Sequence, residues 1–386
     1  MRAQLLSVAL VATLVSAEPW GHPSWQSKDS CIEFFVSVPV DTVTYPPLFP
    51  PFANQYEATE NLLQSTSRTA PPATAVLGEP KNISTTFKIS AKYCPPAGHG
   101  YGESVDTVLL LTHGLGFDKS YWSFEFPPGD PSKYSFTAHA TPKGFATLSY
   151  DRLGCGSSEH LDPYNTIQAQ IELATLISLT RLLREGKLHH SVPVPKKVVH
   201  VGHSWGSLLS NGLASAAGDL TDGIVLTGFS HLVIYQQWFL HSTGYHLASL
   251  NQPKRFGNFE SGYLTWGDQV YNQYSFLTWP FFDPGVLKFA EDNKWPFTAG
   301  EFLTGGFVPV VSPGFKKPVL MMVAEFDLIF CGANCTGIVS GPAHQVFPDA
   351  DLQIYEQPNT GHGMNLHFNA TGWYDVVFDW VKSHDL

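Results

Sequence analysis

The chain has few charged residues and no concentrated positive charge. Only 14% of its 386 residues are Asp, Glu, Lys or Arg, and the formal net charge is -11. No cluster of basic residues is longer than Lys196-Lys197. A nucleic-acid-binding protein normally presents a basic face, so the sequence excludes nucleic acid as a partner. The 43% of hydrophobic residues is a composition that packs into a core, which argues against wholesale disorder.

Long apolar runs are also missing, apart from a short one near the start of the chain. Residues 5–15 are apolar except for two hydroxyl side chains, follow Arg2 and lead into Val15-Ser16-Ala17. This run is too short to span a bilayer and is typical of a secretory signal. We expect cleavage near Ala17, secretion, and no stable membrane insertion. In a secreted chain three sequons become candidate glycosylation sites: Asn82, Asn334 and Asn369.

Cysteine is scarce, and the five residues present are consistent with an oxidising compartment. Cys31 and Cys94 flank the N-terminal segment, whereas Cys331 and Cys335 lie close together in Cys-Gly-Ala-Asn-Cys. These four are the candidate disulfide cysteines, with Cys155 left buried and unpaired, although other pairings stay open. A zinc site is the alternative, but it requires four ligands at a tighter spacing with histidines nearby.

The first hundred residues differ in character from the rest. Residues 31–40 and 85–93 have the pattern of strands. Between them, residues 45–82 are rich in Pro, Thr and Ser, which predicts an irregular, partly extended surface excursion.

From about residue 106 short apolar runs alternate with helical patterns, which indicates a parallel sheet covered on both faces. Residues 231–306 break this alternation, contain no clear buried strand and are crowded with aromatic residues. We interpret them as a largely helical cap inserted into the sheet domain. The predicted parts are a signal peptide at 1–17, N-terminal strands with a Pro-rich excursion at 18–105, core segments at 106–230 and 307–386, and a cap at 231–306.

The strongest motif is Gly202-His203-Ser204-Trp205-Gly206, which lies between a predicted strand and a helix of small residues. This is the context of a nucleophile elbow, in which the serine occupies a sharp, strained turn. Glycines two places either side let the neighbouring backbones pass without a Cβ clash. The motif predicts Ser204 as a catalytic nucleophile.

A serine hydroxyl needs a base to take its proton and an acid to orient that base, in chain order Ser, acid, His. Asp327 follows the predicted strand at 319–323, and Glu325 is the alternative acid. His362 follows the last predicted strand and lies between glycines. The sequence therefore predicts a triad of Ser204, Asp327 and His362.

Catalysis of acyl transfer also requires hydrogen-bond donors for the oxyanion. His113-Gly114-Leu115-Gly116 follows the predicted strand at 108–111, as an oxyanion loop would. We expect the backbone N–H groups of Leu115 and Trp205 to be the donors, and His113 to brace the loop.

With these motifs the sequence resembles the α/β-hydrolase fold-1 superfamily over roughly residues 106–386, apart from the cap. The resemblance includes the run from Asp151 to Ser158 and implies an eight-stranded, mostly parallel sheet with helices on both faces. The signal peptide and excursion are similar to those of secreted fungal members. The run from Ser204 to Ser207 also resembles proline iminopeptidases, which have Gly where this chain has His203. Epoxide hydrolases and haloalkane dehalogenases of the superfamily need a carboxylate nucleophile, so Ser204 excludes their mechanism.

We therefore expect a secreted serine hydrolase that cleaves a carboxylic ester or lactone of an apolar small molecule, without metal or organic cofactor. The alternatives on the same scaffold are an aminopeptidase of the proline-iminopeptidase type, a C–C hydrolase and a cyclase. A peptidase would need an acid in the cap to bind the substrate amine, such as Glu260, Asp268 or Glu301. A non-catalytic binding protein is a further alternative, which the complete triad argues against. The sequence does not define the oligomeric state.

Overall fold

The structure, a computed structural model, describes residues 31–386, so the predicted signal peptide at 1–17 lies outside the described residues. Strand β3 (Thr107–Thr112) shows why the core forms where it does, because all six of its side chains are buried. Leu109 and Leu111 pack into one hydrophobic cluster, and Val108 and Leu110 pack into another. Successive side chains of a strand point to opposite faces, so an uninterrupted apolar run needs cover on both sides.

Eight strands form one sheet in the order β1-β2-β4-β3-β5-β6-β10-β11. The pairs β1–β2 and β2–β4 are antiparallel, and the others are parallel. The predicted eight-stranded, mostly parallel sheet is confirmed. Besides β3, its strands are β1 (Ile32–Thr44), β2 (Lys81–Cys94), β4 (Ala146–Tyr150), β5 (Lys197–His203), β6 (Gly223–Thr227), β10 (Pro318–Ala324) and β11 (Asp351–Gln357).

Helices cover both faces of this sheet. The leucines of α3 and of α4 pack in the cluster with Val108, whereas α2 and α13 belong to the cluster on the other face. Within residues 31–386 no helix combines the length and apolarity that crossing a membrane requires. The helices around the sheet are α2 (Phe136–Ala140), α3 (Ala169–Arg184), α4 (Trp205–Ala217), α11 (Leu328–Cys331), α12 (Ser340–Val346) and α13 (Ala370–Ser383).

The excursion between β1 and β2 is more ordered than the sequence predicted. It contains a twelve-residue helix, α1 (Gln55–Thr66), and β2 begins at Lys81, four residues before its predicted start. The Asn54 side chain accepts a hydrogen bond from the Glu57 N–H (3.1 Å), and the Glu57 carboxylate accepts one from the Ala53 N–H (2.8 Å). The prolines lie on either side of this helix, so the composition of the whole excursion concealed a capped helical stretch.

The stretch predicted as a cap combines short helices with a small antiparallel sheet. The expectation of no buried strand was wrong, because β7 (His246–Leu247), β8 (Tyr263–Thr265) and β9 (Phe297–Thr298) pair in the order β7-β8-β9. Strands of two or three residues are too short to leave a periodic pattern. The helices here are α5 (Gln236–Thr243), α6 (Ala248–Asn251), α7 (Pro253–Phe256), α8 (Gln269–Phe276), α9 (Pro284–Asn293) and α10 (Ala299–Thr304).

The four candidate cysteines, among which the sequence left the pairing open, form the two disulfides Cys31–Cys94 and Cys331–Cys335. Within residues 31–386 the remaining Cys155 is buried and unpaired. Among the sequon asparagines, Asn82 and Asn334 are exposed, whereas Asn369 is half-buried and donates to the Pro358 carbonyl. Glycosylation of all three stays a prediction.

Candidate active site

Ser204 occupies a strained turn between β5 and α4. Its backbone has φ 55° and ψ -114°, a conformation that a non-glycine residue rarely adopts. A Cβ at Gly202 would overlap the Gly206 carbonyl, and a Cβ at Gly206 would overlap the Thr112 carbonyl of β3. Both glycines of the motif are therefore required for the turn to close against the neighbouring strand.

The three residues predicted as a triad lie together. The Ser204 Oγ is 2.9 Å from His362 Nε2, and His362 Nδ1 is 2.7 Å from Asp327 Oδ2. A carboxylate can only accept, so this pairing places the imidazole proton on Nδ1 and leaves Nε2 free to accept from the serine hydroxyl. Such an arrangement can remove a proton from Ser204 and hold the resulting positive charge beside Asp327.

Asp327 is fully buried at the end of β10 and caps α11. Its Oδ1 accepts from the N–H groups of Ile329 (2.8 Å) and Phe330 (3.0 Å), while Oδ2 faces His362. The alternative acid, Glu325, instead accepts from the Asn359 N–H (2.7 Å) and makes no hydrogen bond to His362 within the described chain.

The loop after β3 runs beside Ser204. A Cβ at Gly114 would lie 3.0 Å from the Ser204 Cβ, so the loop approaches the serine as closely as its backbone allows. His113 is buried, with Nδ1 donating to the Gly114 carbonyl (2.9 Å) and Nε2 accepting from the Arg152 N–H (3.0 Å). Burial lowers the pKa of His113 well below its ordinary value, so it is a neutral brace of the loop, as expected.

The backbone N–H groups of Leu115 and Trp205 have no acceptor among residues 31–386. The Gly114 carbonyl is held by His113 and by Arg152, and a trans peptide points its N–H opposite to its carbonyl. The Leu115 N–H therefore faces away from Arg152. The Trp205 N–H is the first of α4, where a helix leaves its N–H groups without intrahelical partners.

Arg152 is the centre of a buried charge cluster whose role the sequence did not reveal. Its Nη1 is 2.5 Å from a carboxylate oxygen of Glu172 in α3 and 2.5 Å from one of Glu301 in α10. Its Nε donates to the His113 carbonyl at 3.1 Å. The Trp205 indole N–H donates to Glu172 (2.7 Å). The cluster thus ties the loop after β3, the elbow and α10 to one guanidinium.

One guanidinium faces two buried carboxylates in this cluster, and it can balance the charge of only one of them. Burial raises the pKa of Glu172 to about 8, although Arg152 opposes this. The only sequence signal for the cluster was the Asp151–Ser158 motif, which showed that Arg152 belongs to a family pattern but not what it contacts.

His203, the residue before the serine, lies behind the elbow. Its ring stacks on Tyr121 at a centroid distance of 4.6 Å and an angle of 15°. Burial, together with the nearby His362, lowers the pKa of His203 well below its ordinary value. His203 is therefore a neutral packing residue of the elbow.

A cavity of about 540 Å³ opens beside Ser204, Leu115 and Trp205. Among the described residues that line it there is no Asp, Glu, Lys or Arg. Its lining is mostly apolar, and its titratable members are His231, whose pKa burial lowers to about 4, and the buried Tyr245. The volume and the apolar lining suit a drug-sized, uncharged organic molecule.

The acids that an aminopeptidase would need do not line this cavity. Asp268 caps α8 through the Val270 N–H, Glu301 is committed to Arg152 and the Thr298 N–H, and Glu260 is exposed. Within residues 31–386 no three His, Cys, Asp or Glu side chains come together as a metal site requires.

Comparison with known proteins identifies a family model that matches this chain. The sequence model of the "Alpha/beta hydrolase family" matches residues 108–371, whereas no curated protein sequence matches the chain. Similar solved structures include an epoxide hydrolase from Vigna radiata, with 12% identity, 77% of this chain and 95% of that chain covered, and a TM-score of 0.52. An esterase from Thermogutta terrifontis has 14% identity, coverage of 78% and 95%, and a TM-score of 0.48. An enol-lactonase from Burkholderia xenovorans LB400 has 16% identity, coverage of 77% and 97%, and a TM-score of 0.48. At these identities the likeness to the epoxide hydrolase concerns the fold alone.

Proposed function

The chain belongs to the alpha/beta hydrolase family, and we propose that it is a serine hydrolase that cleaves a carboxylic ester or lactone of an uncharged, apolar substrate. The observation that carries this proposal is the chain of contacts from Ser204 Oγ through His362 to Asp327, at 2.9 Å and 2.7 Å, at the wall of an uncharged cavity. The serine is the reason to prefer carbonyl hydrolysis to epoxide opening, which needs a carboxylate nucleophile.

In the proposed mechanism, His362 Nε2 takes the Ser204 proton as Oγ attacks the substrate carbonyl. The oxyanion accepts hydrogen bonds from the N–H groups of Leu115 and Trp205. The tetrahedral intermediate collapses, the C–O bond to the leaving alcohol breaks, and His362 gives that alcohol its proton. A water molecule, deprotonated by His362, then attacks the acyl-enzyme. The C–O bond to Ser204 breaks, His362 returns the proton to Oγ, and the acid is released, while Asp327 keeps the imidazole oriented.

The test is turnover of p-nitrophenyl esters of graded acyl length by the wild type and by Ser204→Ala. We expect the variant to lose at least about a thousandfold in kcat while remaining folded, because it removes the nucleophile. Ser215→Ala is the matched control, since Ser215 lies on α4, the helix that follows Ser204, and donates to the Val311 carbonyl, away from the cavity. Undiminished turnover by Ser204→Ala would disprove the nucleophile. Folded wild-type protein that turns over none of the esters would direct attention to C–C hydrolysis, cyclisation, peptidase activity or binding.

We also propose that the protein is secreted after removal of residues 1–17. The pattern of those residues and the two disulfides support this. Expression of the full chain in a eukaryotic secretory host, followed by N-terminal sequencing of the medium fraction, tests it. A chain that stays inside the cell with Met1 intact would contradict it.

A further inference from the structure

A segment outside the family match forms part of the cavity wall. The match begins at residue 108, but the stretch between β1 and β2 also reaches the cavity. We call residues 45–80 the N-terminal wall. Its members that line the cavity are Phe49, Asn61, Gln64, Ser65, Pro71, Ala73 and Val76. The family match does not include this wall, so its contribution to substrate choice cannot be inferred from the family and belongs to this chain.

The N-terminal wall is closed into a loop and is hydrogen-bonded to the rest of the molecule. At its base the Gly78 N–H donates to the Pro46 carbonyl (2.8 Å), which closes the segment into a loop. At its far end the Gln55 amide donates to the Tyr245 carbonyl (2.6 Å) and accepts from the Leu247 N–H (2.9 Å). Both partners of Gln55 lie between α5 and α6, so α1 is fixed against the other side of the cavity.

Helix α1 presents a polar but uncharged face to the cavity. Asn61, Gln64 and Ser65 are spaced i, i+3 and i+4, so they share one face of the helix, and all three line the cavity. Leu63 lies on the opposite face and is 63% exposed. Because Gln64 and Ser65 are themselves exposed, this face lies at the outer end of the cavity.

The inner end of the cavity has the opposite character. Phe276 and Phe330 line it, and each ring lies 5.7 Å from the His362 ring, centroid to centroid. Phe239 and Leu264 are also buried there. The cavity therefore changes from apolar near Ser204 to hydrogen-bonding at helix α1, where the described lining carries no charge.

We propose that the N-terminal wall selects the substrate: an uncharged ester whose apolar body fills the inner end and whose outer end carries a hydroxyl or carbonyl group that Asn61, Gln64 and Ser65 bind. This inference rests on the proposed function. A carboxylate bound against this face would lose part of its hydration without meeting a cation, since the described lining holds no Lys or Arg. The wall thus accepts a neutral polar end and rejects an anionic one.

The experiment compares medium- and long-chain p-nitrophenyl esters that end in a hydroxyl with esters of equal length that end in a carboxylate. Wild type should prefer the hydroxyl series by about tenfold or more in kcat/KM. Gln64→Lys should raise kcat/KM for the carboxylate series about tenfold relative to acetate ester in the same variant. Leu63→Lys is the matched control, because it adds the same charge one residue away on the outward face and should change that ratio by less than about twofold. The inference would be overturned if Gln64→Lys and Leu63→Lys changed this ratio equally, or if neither changed it.

Binding of the same esters to Ser204→Ala, measured by titration calorimetry, separates the inference from the proposed function. Suppose that Ser204→Ala with Gln64→Lys binds the carboxylate series preferentially, while the wild type turns over no ester. That result would support the selective role of the N-terminal wall and overturn the esterase proposal. Turnover of acetate with no preference between the two series would overturn the wall alone. Absence of both turnover and binding preference would overturn both.

Discussion

Asp327 uses its two carboxylate oxygens for different tasks, which allows them to be separated. Oδ1 caps α11 through Ile329 and Phe330, and Oδ2 orients His362. In Asp327→Asn the carbonyl oxygen can still accept the two backbone N–H groups, whereas the amide NH₂ opposes the proton on His362 Nδ1. We expect the fold to persist and kcat to fall by about 10³–10⁴, because the imidazole is held in the wrong tautomer. The measurement is kcat on p-nitrophenyl acetate, beside the thermal unfolding midpoint.

Glu325→Gln is the control for this prediction, since Glu325 is the nearby acid that contacts Asn359 instead of His362. Its kcat should stay within about threefold of wild type. A larger loss in Glu325→Gln than in Asp327→Asn would show that the wrong acid has been assigned.

The elbow shows what a sequence can establish about single residues. Gly202, Ser204 and Gly206 were predictable because only one backbone path satisfies a strand, a sharp turn and a helix in succession. Arg152 was not, because the partners of its side chain come from three segments, the loop after β3, α3 and α10, which lie far apart in the chain. A motif identifies a residue type at a position, but a buried charge takes its role from partners that only the folded chain assembles.

At the scale of elements, the cluster of Arg152, Glu172 and Glu301 joins three segments and makes their packing depend on pH. Burial raises the pKa of Glu172 to about 8, above the ordinary 4.5 of an unfolded glutamate. Between these values the folded protein holds a proton that the unfolded chain releases, so rising pH destabilises the fold. Between about pH 5.5 and pH 8.5 we expect the unfolding free energy of the wild type to fall by on the order of 2 kcal/mol. Glu172→Gln should not show this fall, because its side chain does not titrate. Urea unfolding at the two pH values measures this difference.

Glu185→Gln is the matched variant, because Glu185 follows the same helix and is exposed beside Lys187. It should keep the pH dependence of the wild type. If Glu172→Gln kept it as well, the titrating group would lie elsewhere.

The two disulfides close loops of very different length, which predicts different consequences. Cys31–Cys94 joins residues 63 apart and links the edge strand β1 to its neighbour β2, whereas Cys331–Cys335 joins residues 4 apart shortly after Asp327. By loop-closure entropy the first contributes about 4 kcal/mol and the second about 2 kcal/mol. Replacing Cys31 and Cys94 with serines should therefore lower the unfolding free energy more than replacing Cys331 and Cys335. Replacing Cys331 and Cys335 should lower kcat more, because this disulfide follows Asp327. The opposite ranking in denaturant unfolding and ester turnover would contradict this assignment.

Elements were predictable where burial imposes a regular pattern. The core strands β3 and β10 are apolar on both faces, so their sequences are near-continuous hydrophobic runs, and each extends only one residue beyond either end of its predicted range, 108–111 and 319–323. Helix α1 was missed because the prolines on either side of it dominate the local composition. Strands β7, β8 and β9 were missed because two or three residues form no period, and their pairing depends on segments that lie apart in the chain.

At the scale of the whole molecule, the cavity is formed by three parts of the chain, and this limited what the sequence could say about it. The aromatic residues of 231–306 predicted an apolar site, and Phe239 and Phe276 do line it. The same stretch holds Asp268, Glu291 and Glu301, so its composition does not show that the lining is uncharged. These carboxylates instead cap α8, bind Lys294 and bind Arg152. Only the fold separates the acids that support the site from those that would face a substrate.

The net charge of -11 and the uncharged cavity together predict a dependence on salt. The negative field of the whole protein repels an anionic ester as it approaches. At 0.01 M salt the Debye length is about 30 Å, so this repulsion is largely unscreened. We expect kcat/KM for the monoanionic p-nitrophenyl glutarate to rise about three- to tenfold between about 0.01 M and 0.5 M NaCl, as repulsion is screened. The neutral p-nitrophenyl butyrate is the control and should change by less than about twofold, because neither it nor the described lining carries charge. A fall in kcat/KM for the anionic ester would instead reveal an attractive basic site near the opening of the cavity, and would contradict the substrate class proposed for this hydrolase.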